Sequence, residues 1–99
     1  MTRLKNIHPS EILLEEFLIP LNISESQLSQ DVEIPQTILS EVIKGNRRIT
    51  ADTALRFSRY FGNSAKFWLG IQDEYDIEAE MYVLESILKS ITPLNTNLA

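Results

Sequence analysis

The stretch "SESQLSQDVEIPQTILSEVIKGNRRIT", residues 24–50, constrains the fold more than any other part of the chain. Ser24 can cap a short helix whose apolar seam is Leu28 and Val32, four residues apart on one face. Pro35 then suits the first turn of a second helix, where its missing N–H costs nothing, and Gly45 is the natural stop. Only Glu33 and Ile34 are left to make the turn between the two. Residues 24–45 are therefore expected to form a helix, a tight turn and a second helix.

At about 100° per residue, the second of these helices divides cleanly. Ile38, Leu39, Val42 and Ile43 fall in one arc, and Gln36, Thr37, Ser40, Glu41 and Lys44 fill the opposite one. One face is built for burial. The other carries amide and hydroxyl groups together with one charge of each sign.

The rest of the chain reads as all-α, because helical spacing and caps recur while period-two alternation does not. A first helix follows His8-Pro9-Ser10, with Ser10 as its cap, Ile12, Leu13, Phe17 and Leu18 as its apolar side, and Pro20 as its end. Thr50 starts a fourth, expected to bury Ala51, Ala54, Leu55, Phe57 and Phe61 before Gly62 stops it. Ser64 caps a last helical region beginning "KFWLGIQDEYDI", in which Trp68, Phe67 and Tyr75 are expected core. Further on, Ile77, Met81, Leu84, Leu88 and Ile91 are spaced 4-3-4-3, a seam of the kind that packs against another helix. The tail after Ile91 is expected to fray. The expectation is one domain over residues 1–99: five helices, with a C-terminal helical extension at about 77–91.

Composition excludes more than it selects. There is no cysteine among the 99 residues, so neither disulfides nor thiolate metal sites are possible, which suits a reducing compartment. His8 is the only histidine and has no metal-ligand or nucleophile motif around it; ordering the first turn of helix one is its expected role. No glycine-rich phosphate loop occurs. Neither enzyme activity nor a cofactor, metal or small-molecule ligand is expected. The apolar run "EILLEEFLIP" is broken by Glu15 and Glu16, and no apolar run is long enough to span a bilayer. A cytoplasmic protein with no membrane partner is the expectation.

The net charge of -5 hides an uneven distribution. Residues 36–59 hold five basic side chains (Lys44, Arg47, Arg48, Arg56 and Arg59) against Glu41 and Asp52, a local +3. Each flank holds two basic and six acidic residues and stands at -4. A basic island between acidic flanks implies two surfaces with different partners.

That island coincides with the polar helix face, and the chemistry fits double-stranded DNA. Gln pairs bidentately with adenine, and Ser and Thr donate to or accept from several bases, so Gln36, Thr37 and Ser40 form a reading face. Asn46, Arg47 and Arg48 can reach phosphates, which supply affinity and register. Glu41 has two readings: a hydrogen bond from cytosine, or an ion pair with Lys44 or Arg48.

The phrase "SQLSQDVEIPQTILSEVIKGNRRIT" resembles the phage-repressor-like helix-turn-helix family, in its Q-x-x-L…I-S…G layout. The flanking phrases "HPSEILLEEFLIPLNIS" and "ITADTALRFSRYFGNSAKFWLGIQDEYDIE" resemble the HigA-type antitoxins, or addiction-module antidotes, over about residues 7–80. The resemblance implies a homodimer that binds a palindromic operator in its own operon and neutralises a small mRNA-cleaving toxin of the HigB type. It also implies that Gln36, Thr37 and Ser40 read bases while Lys44, Arg47 and Arg48 contact the backbone. Gln36 stands where arginine is common in the family, Ile38 where a polar residue is frequent, and Asn46 where lysine is usual. Glu33 replaces a frequent glycine in the turn, which implies a positive φ there. A basic toxin would suit the acidic flanks, with Glu11, Glu15, Glu16 and the "DEYDIEAE" stretch as its expected contacts. Two alternatives stay open. The seam Ile77, Met81, Leu84 and Leu88 can form a dimer interface or fold back on its own domain, and the protein can be a repressor with no toxin partner.

Overall fold

A computed structural model describes residues 6–94, and the tail expected to fray lies partly outside them, at 95–99. Among the described residues there are six α-helices and no strand: α1 (Pro9–Ile12), α2 (Glu25–Val32), α3 (Gln36–Ile43), α4 (Ala51–Phe61), α5 (Ala65–Val83) and α6 (Glu85–Ser90). A π-helical segment, Leu13–Leu18, continues α1. The all-α class is as expected. The expected fifth helix is two, because at Leu84 the backbone leaves helical geometry (φ -93°, ψ 7°).

The caps follow from short polar side chains that accept orphan N–H groups at helix starts. Ser24 Oγ accepts from Gln27 N–H, and Ser64 Oγ accepts from Phe67 N–H, both at 3.0 Å. Thr50 Oγ1 accepts from Thr53 N–H at 3.4 Å. The first helix departs from expectation. Its cap is His8, whose Nδ1 accepts from Ser10 N–H at 3.0 Å, while Ser10 itself is buried. Pro9 occupies the first helical position, so the cap must come from the residue before it. His8 thus orders the first turn, its ring edge-on to Tyr75 with centroids 4.5 Å apart.

The core is built from Leu13, Leu18, Leu28, Val32, Leu39, Val42, Ala54, Phe57 and Trp68, together with two residues outside helices, Ile34 and Ile49. Phe17, Phe57 and Phe61 pack around Trp68 with ring centroids 4.9–5.7 Å away, and Trp68 Nε1–H donates to Asn63 Oδ1 at 2.8 Å. Three expected core positions fail: Ala51 is exposed, Leu55 is 61% exposed and Phe67 is 39% exposed. Ala51 and Leu55 lie on the outer side of α4, which turns Ala54 and Phe57 inward as expected and Thr53 with them. Phe67 lies at the edge of the core, against Phe17 and Trp68.

Beyond Tyr75 the helix runs clear of this core. The molecule measures 51 × 29 × 23 Å. Its Cα radius of gyration of 17.0 Å exceeds the roughly 13 Å of a compact domain of about 100 residues.

Candidate nucleic-acid interface

The turn between α2 and α3 sets the angle at which α3 is presented. Glu33 adopts left-handed geometry (φ 57°), as the family resemblance implied. Its N–H and that of Ile34 both donate to Ser29 C=O, and Ser29 Oγ donates to Ile34 C=O at 2.6 Å. Arg56, reaching across from α4, donates from Nη1 to Val32 C=O (3.0 Å) and Glu33 C=O (2.7 Å), while its Nε pairs with Asp52 at 2.7 Å. One guanidinium therefore satisfies two carbonyls left over at the end of α2. Pro35 lies one residue earlier than expected, as the N-cap of α3 rather than within it.

The two faces of α3 separate as the wheel requires. Leu39 and Val42 are buried and Ile38 and Ile43 partly so, whereas Gln36, Thr37 and Lys44 are exposed and Ser40 and Glu41 half-buried. With Glu25 from α2, the five polar residues line one shallow depression. Gly45 ends the helix at φ 83°, with its N–H on Val42 C=O (3.1 Å) and that of Asn46 on Glu41 C=O (2.9 Å). This pair of bonds is the Schellman arrangement, and its left-handed residue suits glycine. A Cβ on Gly45 would also come within 3.3 Å of Ser10 Oγ. Asn46 and Arg47 follow, both exposed.

Arg48 is placed differently. Its Nη2 donates to Asp76 Oδ2 on α5, an ion pair whose side chains are 57% and 38% exposed. Asp76 Oδ1 accepts from Gln72 Nε2 at 3.0 Å, and Gln72 Oε1 accepts from Ile49 N–H at 2.7 Å. Gln72 is 2% exposed, and these bonds satisfy it. Neither expected ion pair of Glu41 forms among the described residues, since Arg48 is held by Asp76 and Lys44 makes none. Sequence reasoning missed Gln72 and Asp76. Their spacing four and eight residues after Trp68 was the available signal, because a polar side chain on a core-facing stripe must find a partner.

On α5 and α6 the expected seam is laid open. Ile77 is 58% exposed, Met81 54% and Leu88 44%, with Leu84 half-buried. Among the described residues no helix is long and apolar enough to cross a membrane, and no group of side chains has the makings of a metal site.

The helix-turn-helix family matches residues 14–68, more than half the chain. Virulence-associated protein I of Dichelobacter nodosus is 42% identical over 91 residues, covering 92% of this chain and 83% of that protein. Among solved structures, the Pseudomonas aeruginosa antitoxin HigA with the higBA promoter is 35% identical (TM-score 0.86), covering 92% of this chain and all of that one. An addiction module antidote protein of the HigA family from Coxiella burnetii is 41% identical (TM-score 0.84), covering 91% and 99%. The family match spans the part of the molecule that presents α3, and the other likenesses extend over nearly all of the chain. The chain belongs to the helix-turn-helix family of DNA-binding regulators, not to any enzyme family, and within it to the HigA-type antitoxins.

Proposed function

We propose that the protein is an antitoxin that binds palindromic operator DNA as a homodimer, represses its own operon and neutralises a small mRNA-cleaving toxin of the HigB type. The observation that carries this reading is α3 itself, buried on its apolar side and open along Gln36, Thr37, Ser40 and Lys44. In it Gln36, Thr37 and Ser40 read base edges, while Lys44, Asn46 and Arg47 hold phosphates. The solved relative bound to the higBA promoter supports this use of the helix.

Two half-sites about one DNA turn apart need two reading helices at a fixed distance. The open seam of Ile77, Met81, Leu84 and Leu88 is a surface for joining two copies, since in this chain it does not fold back on its own core. The acidic flanks suit a cationic toxin. Glu15 and Glu16 of the first helical region and Asp73 and Glu74 of α5 are exposed there.

Base preference tests the reading most sharply. Selection from a randomised operator library should give the wild type adenine opposite Gln36, and Gln36→Arg should shift that position to guanine. An unchanged preference would remove α3 from base readout. Co-purification with the product of the adjacent reading frame separates the antitoxin from a repressor that has no toxin.

A further inference from the structure

Two cations of the basic island already have partners within the chain. Arg56 is spent on the carbonyls of the α2–α3 turn, and Arg48 on Asp76. The second of these engagements has no structural necessity. Arg48 caps no helix, fills no core position and leaves its side chain more than half exposed, so its partner is chosen by charge. Asp76, in contrast, is fixed. Gln72 holds its Oδ1, and Gln72 is itself buried and held by the backbone N–H of Ile49, the residue next to Arg48. Two hydrogen bonds thus set a carboxylate from α5 beside the one cation of the Arg47-Arg48 pair that it can neutralise.

A carboxylate oxygen and a phosphate oxygen make the same charge-assisted bond to a guanidinium. We propose that Asp76 is an affinity-setting residue of the DNA interface: it occupies Arg48 in the place of a phosphate and withdraws that cation from the duplex. The inference rests on the reading of α3 as the DNA-binding helix. Lys44 and Arg47 then carry the phosphate attraction of each subunit, and Arg48 adds little until Asp76 is neutralised. The acidic flank acts in this way on the basic island beside it, holding affinity below what the sequence of cations alone would give.

The test uses the full-length chain with two duplexes of equal length, one from the DNA upstream of its own reading frame and one of random sequence. Affinities are measured across a salt series for the wild type, Asp76→Asn, Arg48→Gln and the double variant, each checked by circular dichroism and thermal melting. Asp76→Asn should bind both duplexes several-fold more tightly. Its dependence of log K on log salt should steepen by about 0.9 for each subunit, the slope of one added phosphate contact. Arg48→Gln alone should change binding little, and in the double variant the gain from Asp76→Asn should vanish.

Weaker binding by Asp76→Asn with an intact melt would overturn the proposal and make Asp76 a support for Arg48 instead. A gain that survives in the double variant would overturn it too, since the carboxylate would then act on the duplex without Arg48. If the wild type binds neither duplex, the reading of α3 fails and this inference with it. If the wild type binds and Asp76→Asn matches it in affinity and slope, only the inference fails.

Discussion

Two parts of this molecule are amphipathic helix, and they are finished in opposite ways. In α3 the apolar side is closed into the core, and the polar side is open. From Ile77 onward, α5 and α6 leave the apolar side open, with Met81, Tyr82, Val83, Ile87 and Leu88 all at least 44% exposed. The first helix is complete within one chain and offers chemistry to a ligand. The second is incomplete, and burial of apolar surface is what it has to gain from a partner. In the function proposed above, a chain of 99 residues thereby separates recognition from assembly.

Substitutions can break this contrast, and the largest effects belong to the closed half. Trp68→Ala should destabilise the fold by about 3–5 kcal/mol, the usual range for removing a fully buried large aromatic, read as the loss of folded protein in a denaturant titration. Next comes Gly45→Ala, which places a Cβ on a left-handed residue and against Ser10 Oγ. It should cost about 1–2 kcal/mol, visible as a lower thermal midpoint; an unchanged midpoint would mean that the turn after α3 relaxes freely.

In the open half the expected effect is on assembly. Met81→Asp combined with Leu88→Asp should leave the midpoint of a dilute sample near that of the wild-type monomer, because neither side chain belongs to the core. A fall like that of Trp68→Ala would show that the seam is core after all.

The smallest effect lies where α2 meets α4. Tyr60 OH donates to Asp31 Oδ2 at 2.6 Å, and Gln27 donates to Oδ1 at 2.9 Å, which together hold the Asp31 carboxyl below its ordinary 3.8. A carboxyl lowered by folding contributes stability above its ordinary value and loses it as pH falls through the lowered one. Because the carboxylate favours the Tyr60 proton, the phenol is raised above its ordinary 10.0. That contribution is present below pH 10 and is lost as pH rises through the raised value. Tyr60→Phe should therefore flatten a slight loss of thermal midpoint below pH 4 and another above pH 10. Identical pH profiles for variant and wild type would show that this exposed pair adds nothing.

How much of this was legible in the sequence depended on whether the cause was local. Ser24, Thr50, Ser64, Gly45 and Gly62 act through the backbone within a few residues, and each is found as read. The division of α3 was legible for the same reason, whereas the positive φ of Glu33 came from the family resemblance, which puts a glycine there. Leu55 and Ala51 misled because which side of α4 faces inward is decided by Trp68 and Phe57 across the core. His8 displaced Ser10 as a cap because Pro9 took the first helical position. The π-helical turn at Leu13–Leu18, with Ile19 N–H on Leu14 C=O, has no signature in the spacing of its apolar residues. The ion pair of Arg48 was the least legible feature. Its partner lies 28 residues further on, in α5, and no count of local charge shows that pair.

The central claim, that an open seam joins two copies so that two closed α3 helices can read one operator, is tested most directly by sedimentation of the protein with a duplex from upstream of its reading frame. The wild type should sediment as a dimer and bind the duplex as a dimer. Met81→Asp with Leu88→Asp should sediment as a folded monomer and bind that duplex at least tenfold more weakly. A folded double variant that remains dimeric and binds with wild-type affinity would contradict the account.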